Sequence, residues 1–247
     1  MKRFVSRLIR KLFPVKPVPA PEIPEHLAKI CNRIRDQKLS FLSKNSIYSL
    51  VSLVGEIEQS NTQGSIIEAG CALGGSAIAM CAAKNSKRLM NLYDTFEMIP
   101  PPTDKDDKDV HDRYEVIKSG KAEGLGGDTY YGYLKDIPER VVQSFLDFGY
   151  PVNDNSVHLH KGLLQDTLCV EGPVAIAHID VDWYDPVFTC LERVVPNLSV
   201  GGAIILDDYF AWSGCRKATD DFFAKRKREF SFCSKFGHMV VRHRKTQ

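Results

Sequence analysis

No run of about 18 apolar residues occurs in the 247-residue chain, which excludes a helix long enough to cross a bilayer. Neither sign of charge dominates. Lys and Arg number 33 against 31 Asp and Glu, and a formal net charge of +2 gives no ground for a nucleic-acid partner. The seven cysteines (Cys31, Cys71, Cys81, Cys169, Cys190, Cys215, Cys233) are odd in number and scattered, and no two form a C-x-x-C pair. A disulfide framework or thiolate zinc site is therefore not expected, and a reducing cytoplasm is. Repeats and low-complexity tracts are missing too. What is present is an apolar content of 43%, ample for the core of one α/β domain with insertions.

Acids are missing altogether from residues 1–16, which carry Lys2, Arg3, Arg7, Arg10, Lys11 and Lys16, with Phe4, Leu8, Ile9, Leu12 and Phe13 at roughly helical spacing. A continuous apolar segment and a small-residue cleavage site are absent, so a secretory signal is not expected. Two readings stand. One is a short basic amphipathic helix lying on anionic lipid at the inner membrane surface. The other is a frayed tail, or a helix docked on its own protein or on a partner subunit of a homo-oligomer. Pro14, Pro17, Pro19, Pro21 and Pro24 then read as an extended linker. Residues 1–24 are thus expected to be tail and linker, and residues 25–247 the folded domain.

Along that domain, residues 25–60 read as helices, with Ile47, Leu50, Val51, Leu53, Val54 and Ile57 forming an apolar stripe. Short apolar strands are expected at 65–69, 88–94, 156–160, 174–180 and 202–206, with helices near 77–83, 137–148, 186–195 and 216–228. Residues 230–244 read as two closing strands joined through Gly237. Alternation at this spacing predicts an α/β fold with a doubly wound, mainly parallel sheet. Residues at about 97–137 break the pattern with Pro100-Pro-Pro102, a charged run and Gly124, Gly126 and Gly127. A segment of that length between regular elements is expected to be functional, here as a lid or substrate insert.

After the first strand comes a glycine-rich turn with Gly70, Gly74 and Gly75, and Asp94 ends the second strand 24 residues beyond Gly70. Glycines permit a left-handed backbone and close approach of a ligand, and an acid at that place can accept hydrogen bonds from a ribose diol. The spacing is not the dinucleotide G-x-G-x-x-G, and Glu68 sits poorly beside a pyrophosphate. An adenosine ligand with a cationic or zwitterionic tail fits better, and S-adenosylmethionine is such a ligand.

Two further strands run straight into acids: 174–180 into Asp180 and Asp182, and 202–206 into Asp207 and Asp208. Unpaired carboxylates at buried strand ends are costly, and strand C-termini are where open α/β sheets bind ligands. The four acids therefore point to a hard divalent cation, which prefers oxygen ligands. Asp180 or Asp182 is also placed to take a proton from a hydroxyl. Asp185 is expected to cap a helix beginning at Pro186. His178, inside an apolar strand, reads as a hydrogen-bonded core histidine.

Five motifs occur in one order: Glu68-Ala-Gly-Cys-Ala-Leu-Gly-Gly-Ser76, Asp94-Thr-Phe-Glu97, Lys161-Gly-Leu-Leu-Gln-Asp-Thr167, Asp180-Val-Asp-Trp-Tyr184 and Gly201-Gly-Ala-Ile-Ile-Leu-Asp-Asp-Tyr209. Together they resemble the macrocin O-methyltransferase family, class I enzymes that methylate sugar hydroxyls. The resemblance covers roughly residues 38–240. It implies a seven-stranded Rossmann-like sheet with an antiparallel C-terminal strand. S-adenosylmethionine would lie among Glu68, Gly70, Gly74, Ser76, Asp94 and Thr95, with Mg²⁺ on Asp180, Asp207 and Asp208. The acceptor would be a hydroxyl of a small molecule or glycan. Cys71-Ala72-Leu73 and Met98-Ile99 depart from that family's pattern.

An alternative of another class is a nucleotide-sugar glycosyltransferase using Asp180-Val-Asp182 to hold a metal diphosphate. It leaves the glycine turn, Asp94 and the Asp207–Asp208 pair unexplained. A non-catalytic assembly protein with the same fold leaves the acids at both strand ends unexplained.

Overall fold

The computed structural model describes residues 21–244. The expectations for residues 1–16 lie outside the described residues. Two helices, α1 (Glu25–Asp36) and α2 (Lys44–Gln59), lead into strand β1 (Ser65–Ala69), helix α3 (Gly75–Ala83) and strand β2 (Met90–Asp94). Next come helices α4 (Lys108–Lys118) and α5 (Ile137–Asp147), strand β3 (Val157–Lys161) and the single turn α6 (Leu164–Thr167). The chain closes with β4 (Val174–Ile179), α7 (Tyr184–Val194), β5 (Leu198–Leu206), α8 (Ser213–Phe223), β6 (Phe230–Lys235) and β7 (His238–His243).

The seven strands form one sheet in the order β3-β2-β1-β4-β5-β7-β6. The first five are parallel, while β7 runs antiparallel to both β5 and β6. The expected doubly wound sheet and closing hairpin are therefore both present. The hairpin turns through Phe236 (φ 50°) and Gly237 (φ 104°), the left-handed pair that matches the twist of a two-residue loop.

Each face of the sheet is covered, which is why its central strands read as unbroken apolar runs. Ile66, Ile176, Ile205 and Val240 pack with α1, α2 and α3 on one face. Ile67, Ala177, Ile204 and Val241 pack with α7 and α8 on the other. A third, smaller core lies within the 97–137 insert, where Ile99, Val110, Ile117 and Tyr130 gather around Trp183.

Several elements differ from the sequence expectation. Strand β2 starts at Met90, β5 already at Leu198 and α3 at Gly75. Three further differences have a local cause. The insert carries helix α4, which its charged sequence concealed. Helix α8 stops at Phe223, ahead of the basic run Lys225 to Arg228, whose like charges at helical spacing repel. Helix α7 begins at Tyr184, not Pro186, and Asp185 does not cap it. The cap comes instead from the insert, where Asp106 Oδ1 accepts the Tyr184 N–H at 2.8 Å. Asp185 binds Thr103 Oγ1 (3.0 Å) and Lys105 Nζ (2.7 Å), so it fastens the insert to the helix start.

Candidate active site

In this strand order, β1 and β4 are neighbours whose onward connections leave in opposite directions, so a crevice opens between their C-terminal ends. Gly70 follows β1 at φ 84°, and a Cβ there would lie 1.9 Å from the Asp180 carbonyl oxygen. Only glycine lets the two strand ends approach so closely.

Two cavities flank that contact. The first, about 310 Å³, is lined by Gly70, Asp94, Thr95, Gly162 and Leu163 together with Asp180. The second, about 400 Å³, is lined by Arg113, Tyr130, Asp207, Asp208 and Trp212. They share Gly70, Tyr131, Asp180, Asp182 and Trp183, so two separate ligands can meet at the β1–β4 rim.

On the first side, Asp94 organises the loops. Its Oδ2 accepts the Ala72 N–H at 2.9 Å, and its Oδ1 accepts the Phe96 N–H at 2.7 Å. Both donors lie in left-handed turns (φ 45° and 51°), so one carboxylate ties the glycine turn to the loop after β2. Burial holds the Asp94 carboxyl above the ordinary carboxylate range, opposed by those two N–H bonds. Thr95 lies beside it on the cavity wall.

The other expected cofactor residues are placed differently. Gly74 (φ 84°) faces Val141 and Phe145 of α5, and the Gly75 N–H donates to the Leu39 carbonyl at 3.1 Å. Those two glycines allow helix packing, and Ser76 is buried at the start of α3. Glu68 is sealed inside the sheet, its Oε1 at 2.9 Å from His178 Nδ1. His178 is thus the hydrogen-bonded core histidine expected. Of the six, Gly70, Asp94 and Thr95 line the crevice.

On the second side the acids converge. Oxygens of Asp180, Asp207 and Asp208 lie within 4.8 Å of one another. Asp208 Oδ2 is buried without a hydrogen-bond partner among the described residues. An orphaned buried carboxylate oxygen beside two more carboxylates fits a divalent cation in chemistry and in number. Enclosure, then repulsion from Asp207 and Asp182, holds the Asp180 carboxyl well above the ordinary range. Enclosure and repulsion from Asp180 and Asp207 do the same for Asp208. Asp182 is likewise raised by enclosure and by Asp208. Its backbone is left-handed (φ 55°), and the Trp183 N–H closes a tight turn on the Val181 carbonyl. Strained positions of this kind gather at functional sites.

Three residues went unnoticed in the sequence. His238 is fully buried, its Nδ1 at 2.6 Å from Asp207 Oδ1 and its Nε2 at 3.2 Å from the Ser46 carbonyl. Arg113 and Tyr131, both from the insert, reach the second cavity. A lone His after a hairpin glycine and single residues in an aperiodic insert carry no spacing signal.

The strand order and the crevice define a class I methyltransferase-like α/β domain. The O-methyltransferase NovP has this fold: it superposes with a TM-score of 0.66 at 22% identity, covering 89% of this chain and 88% of that one. The macrocin-O-methyltransferase (TylF) family profile matches residues 36–233, and the chain belongs to that family. Among its relatives is the 8-demethyl-8-(2,3-dimethoxy-alpha-L-rhamnosyl)-tetracenomycin-C 4'-O-methyltransferase of Streptomyces olivaceus, 30% identical over 165 residues. Another is the demethyldecarbamoylnovobiocin O-methyltransferase of Streptomyces niveus, 27% identical over 180 residues. The matches take in 64% and 70% of this chain but 58% and 63% of those relatives' lengths. Family membership leaves the glycosyltransferase alternative without support.

Proposed function

We propose that the protein is an S-adenosylmethionine-dependent O-methyltransferase that acts on a hydroxyl of a sugar or glycoconjugate with the help of Mg²⁺. The observation that carries this is the pair of cavities meeting at Gly70, Asp180 and Asp182, one walled by Asp94 and the other floored by carboxylates. The named activities of the two relatives support the choice of a glycosylated acceptor.

Asp94 would accept hydrogen bonds from the donor's ribose through the lone pairs its two backbone contacts leave free, with Thr95 alongside. Asp180, Asp207 and Asp208 would hold Mg²⁺. When bound, the ion would polarise the acceptor hydroxyl and make its proton easier to remove. Asp180 and Asp182 both line the two cavities, and Asp182, which lies outside the three-carboxylate cluster, is the better supported of the two as proton acceptor. Burial, then the neighbouring Asp208, raise its affinity for a proton above that of an ordinary carboxylate. The remaining contribution is alignment of the hydroxyl with the methyl group in an enclosed site. The insert, fastened at Asp106 and Asp185, would roof the acceptor as a lid.

Titration calorimetry tests the assignment. S-adenosylhomocysteine should bind without metal, whereas UDP or GDP with Mn²⁺ should not. The reverse result overturns the proposal. Screening acceptor pools with a labelled methyl donor and identifying the product by mass would then name the substrate.

His238 gives a further expected result. It orients Asp207, so His238→Ala should weaken Mn²⁺ binding, read by electron paramagnetic resonance, by about 10- to 100-fold. Affinity for S-adenosylhomocysteine should stay within about threefold, because His238 lies on the carboxylate side of the crevice. Unchanged Mn²⁺ binding would show that Asp207 needs no such support.

A further inference from the structure

Five residues line both cavities, and they differ in what they can offer a ligand. Gly70 has no side chain. Asp180 belongs to the three-carboxylate cluster, and Asp182 is the carboxylate next to it. Trp183 is buried, its indole N–H spent on the Pro100 carbonyl at 3.0 Å and its ring set edge-on to Trp212. The fifth, Tyr131, is a half-buried aromatic ring contributed by the insert.

Tyr131 also lines a third hollow, of about 470 Å³, next to Phe41, Leu73 and Leu134. It therefore stands where donor cavity, acceptor cavity and outer hollow come together. Its place is well fixed. The ring packs at 4.6 Å from Tyr130 and edge-on at 6.3 Å from Phe41. The single turn Tyr131–Tyr133 is closed by hydrogen bonds from Tyr133 N–H to the Tyr130 carbonyl and from Leu134 N–H to the Tyr131 carbonyl. Gly132 is tight against Tyr130 and Met98, which keeps the turn close to the crevice. The Tyr133 hydroxyl bonds the Ile117 carbonyl and so ties the turn to α4. Burial first, then the neighbouring Tyr130 and Asp94, push the Tyr131 hydroxyl well above the ordinary tyrosine range.

We propose that Tyr131 contacts both substrates: its ring is the wall between the two compartments and lies against the sulfonium of the methyl donor. This rests on the methyltransferase assignment above. An aromatic face attracts a desolvated cation, whereas the demethylated product is a neutral thioether. The ring therefore favours the loaded donor over the spent one. Its other edge, continuous with Tyr130 and Phe41, gives the acceptor an aromatic surface on which to rest.

The ratio of the two cofactor affinities is the test, measured by calorimetry on the full-length protein. Tyr131→Leu keeps apolar bulk but removes the π face. It should weaken S-adenosylmethionine by about three- to thirtyfold more than S-adenosylhomocysteine. Tyr131→Phe should leave that ratio within about twofold of wild type. Leu134→Ala, on the outer hollow alone, should leave both affinities unchanged. Equal losses of both cofactors in Tyr131→Leu, or no loss of either, would overturn the proposal. Wild-type protein that binds neither cofactor would instead overturn the methyltransferase assignment, and the role of Tyr131 with it.

Discussion

Asp208→Asn is expected to lower kcat by on the order of 10²–10⁴ while leaving S-adenosylhomocysteine affinity within a few-fold of wild type. Asp208 is buried, its Oδ2 has no partner among the described residues, and Asp180 and Asp182 lie beside it. An amide keeps the shape but offers one neutral oxygen, a poor ligand for a small doubly charged ion. Stability should move the other way. The folded-state affinity of Asp208 for a proton is raised, so as pH climbs the unfolded chain releases its proton first. The metal-free fold therefore loses stability from the ordinary carboxylate range up to the raised value. Metal-free Asp208→Asn escapes that loss and should melt at or above the wild-type temperature at pH 8. Millimolar Mg²⁺ should raise the wild-type Tm, more at pH 8 than at pH 6, and shift the variant little. Full activity in Asp208→Asn, or a Mg²⁺ shift equal to wild type, would refute the cation assignment.

Asp94→Ala is expected to weaken S-adenosylhomocysteine by on the order of a hundredfold. Hydrogen bonds to charged groups contribute about 1.5–3 kcal/mol each, and at least one such bond to the ribose would be lost. The alanine also releases the Ala72 and Phe96 N–H groups, so the two left-handed turns that shape the cavity are no longer held. Asp94→Asn keeps one acceptor oxygen and should fall between the two. A thermal melt separates loop loosening from general unfolding. Wild-type affinity in a folded Asp94→Ala would show that the ribose is held elsewhere.

The central sheet was legible because burial on both faces leaves a plain trace: short apolar runs ending in Asp94, Asp180 and Asp207. The acids could be picked out for the same reason, since a carboxylate at the end of such a run is costly. The glycine turn was legible as a turn, but its glycines divide between two tasks. Gly70 touches the Asp180 backbone, whereas Gly74 and Gly75 make room for Val141 and Leu39. Both tasks require glycine, so sequence alone does not separate them. Glu68 shows the limit most clearly. Its place in the motif suggests a ligand contact, and the structure gives it to His178. The insert was opaque because its order comes from distant partners: Asp106 on Tyr184, Thr103 on Asp185, Asp109 on Ser213. No periodicity records such bonds.

One pairing also bears on how the molecule comes together. Asp207 is held by His238 near the C-terminus, and His238 is held in turn by the Ser46 carbonyl, 192 positions earlier in the chain. Contacts between such remote segments form late, after the intervening polypeptide has been gathered in. A chain emerging from the ribosome can thus assemble the helices, the glycine turn and much of the parallel sheet while its carboxylate cluster is still unsupported. The β6–β7 hairpin brings His238 to Asp207, so a copy lacking that hairpin would leave Asp207 without this support.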